Sequence, residues 1–374
     1  MKAVVFHDVG DIRLDTVADP GLQAPTDAII RITASAICGT DLHMVRGTMP
    51  GMKPGTILGH EAIGIVEEPG SQVRNLKPGD RVVVPSTISC GWCAYCRSGY
   101  TAQCDTANPN GPQAGTAFFG GPAQTGPFDG LQADYARIPH ANVGLVKLPD
   151  GITDDQAIML SDIFPTGYFG ADIAEITEGD TVAVFGCGPV GQFAIISARL
   201  MGAERVIAVD RLPDRLEAAR AKGAEIVNFE EEDPVDAIRA LTGGIGVDRV
   251  IDAVGVDAAA PGEKPGESAT QVLDQAIAAM AKAGTLAIIG VYPPNVHSFP
   301  IGQAMMRNVT INMGNCNHRR YLPRLVDLVA AGTIDPATVL TRNAPLMSAI
   351  DAYRQFDRQA DGWLKVSLTP DSRA

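Results

Sequence analysis

The run from Thr181 to Asp210 limits what this chain can fold into more than any other stretch. It reads Thr181-Val-Ala-Val-Phe185, then Gly186-Cys-Gly-Pro-Val-Gly191, then an apolar-periodic segment to Gly202, then Arg205-Val-Ile-Ala-Val-Asp210. Strand, glycine turn, helix, strand and a terminal carboxylate, in that order, predict a dinucleotide-binding unit. Gly186 permits the tight turn, Gly188 lets backbone approach a pyrophosphate, and Gly191 allows close helix packing. Pro189 and Val190 open the helix whose first N–H groups face the phosphates. Asp210, 19 residues beyond Gly191, is set to take the ribose hydroxyls, with Arg211 and Arg215 as further cofactor contacts. A bare glycine triplet is often an ordinary turn; the flanking strand, helix and acid separate this one from that reading. A carboxylate at position 210 would repel a 2′-phosphate, so the expected cofactor is NAD in preference to NADP.

From Gly179 onward strand and helix alternate. Helices are predicted from Pro213 to Gly223 and near 234–242, and strands at Glu225–Val227, Val247–Ala253 and Thr285–Ile289. Ser268-Ala-Thr-Gln271 has the spacing of a capping box and predicts a helix running to Gly284. Val309–Met313 offers a sixth strand. This half therefore reads as a doubly wound parallel sheet, an α/β class.

The first part of the chain is different. Lys2–Phe6, Ala28–Thr33, Ala62–Glu67 and Arg81–Val84 are short β-branched runs divided by Gly, Pro and Asp turns, as a small β-rich domain requires. Cys38–His43 and Gly59–Glu61 fall between those runs and are expected on connecting loops. Residues 106–128 are uncharged and nine of those 23 are Gly or Pro, so a long loop is expected, either a disordered excursion or, with Phe118, Phe119 and Phe128 as apolar anchors, a lid or pocket wall. A helix near 321–331 and a last strand at Trp363–Leu368 return to this first domain. The boundaries are expected at 1–163 with 316–374, and 164–315.

With 43 acidic against 30 basic residues the field around the protein is negative, which excludes nucleic acid and acidic membranes as natural partners and leaves small neutral molecules. The N-terminus meets charge too soon for a signal peptide, which predicts a cytoplasmic protein. Residues 181–198 are uncharged, but their three glycines, Pro189 and Gln192 argue against a membrane span.

Four of the seven cysteines fall within fifteen residues, as Cys90-x2-Cys93-x2-Cys96-x7-Cys104. In a reducing compartment this suits one tetrahedral Zn2+ with a closed shell, a structural site. Cys38, His60, Glu61 and Asp162 form a dispersed second set. A thiolate, an imidazole and a carboxylate suit a catalytic zinc with an open position, although taken singly such residues are more often packed or surface residues than ligands.

Cys38-Gly-Thr-Asp-Leu-His43, Gly59-His60-Glu61, the cysteine quartet and the Gly186 fingerprint together resemble the zinc-dependent medium-chain dehydrogenases over essentially the whole chain. Leu160–Tyr168 and Asn315-Cys-Asn-His-Arg-Arg320 resemble the branch that includes glutathione-independent formaldehyde dehydrogenases. The resemblance implies a GroES-like catalytic domain beside a Rossmann domain. It implies one catalytic zinc on Cys38, His60 and Asp162, one structural zinc on the quartet, and hydride transfer between NAD and a small alcohol or aldehyde. Thr40 and His43 match the proton relay and Glu61 a transient zinc ligand. A homodimer or homotetramer is expected, with Val309–Met313 pairing across a two-fold axis. A polyol or amino-alcohol dehydrogenase is the nearer alternative, and a non-catalytic nicotinamide-binding redox sensor the more distant one.

Overall fold

The computed structural model describes residues 1–111, 114–264 and 266–370. The chain divides into one unit of Met1–Pro165 with Asn317–Ala374 and a second of Thr166–Cys316. The first unit opens with β1 (Lys2–Asp8) and β2 (Asp11–Thr16), an antiparallel pair. Then come β3 (Ala28–Ile37), α1 (Gly39–Arg46), β4 (Ala62–Pro69), β5 (Arg81–Val84), β6 (Tyr135–Ile138) and β7 (Val146–Lys147).

The second unit holds β8 (Thr181–Phe185), α2 (Pro189–Leu200), β9 (Arg205–Asp210), α3 (Pro213–Ala221), β10 (Glu225–Asn228), α4 (Pro234–Leu241) and β11 (Val247–Asp252). After these come α5 (Gln271–Ala279), β12 (Met280–Ile288), α6 (Ile301–Met306) and β13 (Thr310–Met313). The six strands are all parallel, in the order β10-β9-β8-β11-β12-β13. Successive side chains of a strand point to opposite faces. Phe185, Ile207, Val209 and Val250 accordingly enter one core with Leu273 and Ile277 of α5, while Val184, Val206, Ala208 and Ile251 enter another with Ala194, Ile195 and Ala198 of α2. Burial on both faces explains why β8 and β9 read as nearly continuous apolar runs.

The chain then re-enters the first unit through α7 (His318–Ala330), β14 (Arg342–Pro345) and β15 (Val366–Thr369). The mixed sheet runs β14-β15-β3-β4-β5-β7, with β6 on β3. Val366, Ser367 and Leu368 pair with Ile37, Ala36 and Ser35, so the chain's end lies beside the strand that leads to Cys38. Among the described residues no helix is long and apolar enough to cross a membrane.

Three local expectations are corrected. The segment after Cys38 is a helix, not a connection: the Asp41 carboxylate accepts the Cys38 N–H (2.9 Å) and so caps α1. Ser268 does not cap α5. Thr270 is the N-cap, and the Ser268 hydroxyl donates to Glu263 instead (2.6 Å). The helix also ends at Ala279 rather than Gly284. The alanine-rich run is redirected because Met280 pairs with Val247, and Ala283 then takes a left-handed conformation (φ 60°) before the ladder resumes at Thr285.

Candidate active site and metal centres

The four cysteines converge. Cys90 and Cys96 sulfurs are 4.0 Å apart, Cys93 and Cys104 3.9 Å, and all four lie within 4.8 Å of one another, none of them in a disulfide. With Zn–S near 2.3 Å, tetrahedral sulfurs would stand roughly 3.8 Å apart, so the spacing fits one zinc ion. Backbone N–H groups of Cys90 and Ala107 point at the Cys104 sulfur (both 3.3 Å), and those of Trp92 and Cys93 at Cys90 (both 3.4 Å). Burial opposes ionisation of Cys93, but N–H donors from Cys96 bring its thiol down to about 7. Burial pushes the Cys96 and Cys104 thiols up, so four thiolates together call for a cation.

The second set converges from three parts of the first unit. Cys38 follows β3, His60 and Glu61 precede β4, and Asp162 follows the helix Asp154–Met159. The Asp162 Oδ2 atom is 3.8 Å from Cys38 Sγ and 3.4 Å from His60 Nε2, and the four ligand atoms lie within 4.8 Å. The far side of His60 is held by Asp41, whose Oδ1 is 3.1 Å from Nδ1, leaving Nε2 for a ligand. Gln132 steadies Asp41 (3.4 Å), reaches the Ala36 carbonyl (3.0 Å) and accepts from the Tyr353 hydroxyl (2.8 Å). Phe118 of the long loop stands edge-on to the His60 ring at 6.1 Å, so that loop walls the site.

Burial weighs against charge on His60, yet Asp41 and Asp162 hold its pKa well above the ordinary value. Burial likewise opposes ionisation of Asp162, but His318 and His60 keep its carboxyl well below the usual range. Burial raises the Cys38 thiol, which His60 counters. The cluster therefore favours positive charge at its centre, and its thiol, imidazole and carboxylate are a donor set that fits zinc.

Glu61 is fully buried and faces Lys365, also fully buried. The ammonium is 2.6 Å from each carboxylate oxygen, but only Oε1 receives it in hydrogen-bond geometry, and Oε2 has no hydrogen-bond partner. Thr40 and His43 share one face of α1, three residues apart. Thr40 Oγ1 is 4.0 Å from Cys38 Sγ, and His43, 6 % exposed, has its Nδ1 3.1 Å from the Thr48 hydroxyl.

In the second unit Gly186 has φ 88°, and a Cβ there would strike Val254. A Cβ on Gly191 would collide with the Gly186 carbonyl, whereas Gly188 faces open space except for the Arg215 guanidinium, 3.6 Å from where its Cβ would be. Pro189 and Val190 form the first turn of α2. The Asp210 carboxylate accepts from the Cys187 N–H (2.7 Å) and from those of Arg211 and Leu212 (2.7 and 3.0 Å), fixing it against the glycine turn. Arg211 is turned toward the Glu263 carbonyl (2.8 Å) and Glu230 (3.8 Å).

Three residues around the Cys38 cluster escaped sequence reasoning. Asp41 had a signal, an acid at the third helical position after Cys38. His318 lay inside Asn315–Arg320 without a role. Lys365 had none, since a lysine in an alternating strand reads as solvent-facing.

Residues 24–150 match the alcohol dehydrogenase GroES-like domain and residues 189–331 the zinc-binding dehydrogenase domain. An uncharacterized zinc-type alcohol dehydrogenase-like protein of Bacillus subtilis is 42% identical over 381 residues, covering 99% of this chain and 100% of its own. A glutathione-independent formaldehyde dehydrogenase of Pseudomonas aeruginosa is 38% identical over 304 residues, 78% of this chain and 75% of that protein. The solved alcohol dehydrogenase TADH from Thermus sp. ATN1 superposes with a TM-score of 0.88 at 35% identity, covering 99% of this chain and 100% of its own. Similarity along the full length, in both halves, makes this chain a member of the zinc-dependent alcohol dehydrogenases of the medium-chain superfamily.

Proposed function

We propose that this oxidoreductase catalyses the reversible, NAD-linked oxidation of a small primary or secondary alcohol, or of a hydrated aldehyde, which offers the same O–H and C–H. The observation that carries this is the convergence of Cys38, His60 and Asp162 on one point, with Asp41 tying back the imidazole. These three residues would hold the catalytic zinc and the quartet a structural one. When bound, zinc acidifies a substrate hydroxyl and oxidised nicotinamide accepts the hydride. The chain's own part is the proton: Thr40 takes it from the substrate oxygen and His43 passes it on toward solvent. The C–H pair leaves as hydride, the O–H proton leaves through the relay, and the carbonyl product remains. Glu61, with one oxygen lacking a hydrogen-bond partner, is available as a passing ligand during exchange.

NAD is preferred to NADP because Asp210 presents a carboxylate that would repel a 2′-phosphate, and because the guanidinium of the next residue, Arg211, is engaged by the Glu263 carbonyl and Glu230. Gly186, Gly188, Pro189, Val190, Gly191 and Arg215 would hold the pyrophosphate. A homodimer or homotetramer is supported by β13 standing at the sheet edge beside exposed Ile301, Met305, Met306 and Met313. The test is Thr40→Ala in zinc-loaded protein, which lowers kcat by roughly 10²- to 10⁴-fold with NAD affinity unchanged. Near-normal turnover in that variant would overturn the relay.

A further inference from the structure

The two oxygens of Asp162 have different neighbours. Oδ2 faces Cys38 and His60, at 3.8 and 3.4 Å. Oδ1 turns the other way, 2.8 Å from His318 Nε2 and 3.0 Å from the Ser86 hydroxyl, which donates to it. Ser86 Oγ is also 3.1 Å from His318 Nε2, so its lone pair meets the same imidazole N–H. At the other ring nitrogen, Nδ1, the Thr87 hydroxyl sits 3.1 Å away. A hydroxyl donating to Nδ1 leaves the proton on Nε2, where it points at Asp162. Asp162, His318, Ser86 and Thr87 are all buried.

Two hydrogen bonds fix the segments that carry this cluster. The Ser86 N–H donates to the Ser161 carbonyl (3.0 Å), which ties the turn after β5 to the residue before Asp162. Asn317, just ahead of His318, accepts the Ala102 N–H (3.0 Å) and so fixes the start of α7 beside the turn that carries Cys104. His318 therefore reaches Asp162 from a rigid helix end, 156 residues away in sequence.

We infer that His318, supported by Ser86 and Thr87, is a positioning residue that holds Asp162 Oδ1 back, so that the carboxylate offers a metal one oxygen only. Unrestrained, a carboxylate can close on a metal ion with both oxygens and occupy the position the substrate oxygen needs. The imidazole prevents this by giving Oδ1 a better partner in a dry site. The inference rests on Asp162 being a zinc ligand.

The test uses full-length protein in which the catalytic zinc is replaced by Co2+, with the visible absorption spectrum, zinc affinity by chelator competition, and kinetics measured on the same variants. His318→Leu removes the donor. Its cobalt spectrum should lose intensity as coordination rises from four to five, and zinc affinity or kcat should fall by about 10- to 100-fold. The KM for NAD should be unchanged. His318→Gln, which returns an N–H near the Nε2 position, should recover most of both properties. Ser86→Ala keeps the imidazole and should give a smaller change of the same kind, which keeps the inference testable if His318→Leu does not fold. A cobalt spectrum and zinc affinity unchanged in the variants that fold would overturn the positioning role. Asp162→Ala separates the two levels: if that variant keeps full zinc affinity and an unaltered cobalt spectrum, Asp162 is not a ligand and the underlying reading fails instead.

Discussion

Replacing Lys365 by Met should strongly destabilise the fold while leaving Cys38, His60 and Asp162 in place. Lys365 and Glu61 are both fully buried, and the ammonium is further held by the Ile37 carbonyl at 3.0 Å. Methionine fills a similar volume but leaves the Glu61 carboxylate in a dry site without its counter-charge. Removing one partner of a buried pair costs about 3–5 kcal/mol, mostly the penalty of the stranded charge. For units of roughly 150–250 residues, 1 kcal/mol moves Tm by about 2–4 °C, so a fall of about 6–20 °C is expected. Both tryptophans, Trp92 and Trp363, lie in the first unit, so tryptophan fluorescence follows the unfolding of that unit alone. Adding Glu61→Gln should recover much of the loss, because the stranded charge is gone. The pH dependence has a definite sign. Burial raises the Glu61 carboxyl and Lys365 is what opposes it, so in Lys365→Met the folded state keeps a proton that the unfolded chain has released. Stability of the variant then falls as pH rises from the ordinary carboxylate range through the raised value. A loss below about 1 kcal/mol, or a double variant no more stable than Lys365→Met, would refute this reasoning.

Three further outcomes are expected. Cys104→Ser leaves the quartet one thiolate short and should lower both zinc retention at that site and unfolding temperature, read by metal analysis and a thermal melt. Asp210→Asn should narrow the preference for NAD over NADP by about tenfold or more, the worth of a charge-assisted hydrogen bond of ~1.5–3 kcal/mol, measured as the ratio of kcat/KM values. Burial opposes ionisation of Asp180, but Arg249 at 2.8 Å and the Thr177 N–H hold its carboxyl below the usual value. The stability it contributes is present above the unfolded value near 3.8 and is lost as pH falls through the lower folded one. Asp180→Asn should therefore destabilise at neutral pH and make no difference in strong acid, as denaturant melts across that range would record.

What was legible in the sequence was what is encoded locally. Gly186 and Gly191 carry backbone requirements that no other residue meets, and the central strands β8 and β9 announce themselves because burial on both faces makes them almost uniformly apolar. The cysteine quartet is nearly contiguous, so its spacing alone indicates a closed tetrahedron. The Cys38 set is different in kind. Asp162 is an ordinary aspartate until the fold brings it to His60, and only family resemblance singled it out. Gly39 and Thr40 are poor helix formers, which hid α1 until the Asp41 cap was visible. Lys365 lies 304 residues from Glu61, and its meaning depends wholly on β15 pairing with β3. The alanine-rich segment before Gly284 misled for the opposite reason: its helix propensity is real, but pairing with Val247 takes Met280 into the sheet.

The most direct test of the account is a metal titration with turnover followed in the same samples. Protein stripped of its exchangeable metal but retaining the quartet's zinc should stay folded and fail to reduce NAD with short alcohols or aldehydes. Turnover should return in proportion to added zinc and saturate at one equivalent per chain, and Asp162→Ala should show no such return. Alcohol-dependent NAD reduction by the stripped protein, or saturation of turnover in Asp162→Ala at the same single equivalent, would contradict a zinc-assisted hydride transfer centred on Cys38, His60 and Asp162.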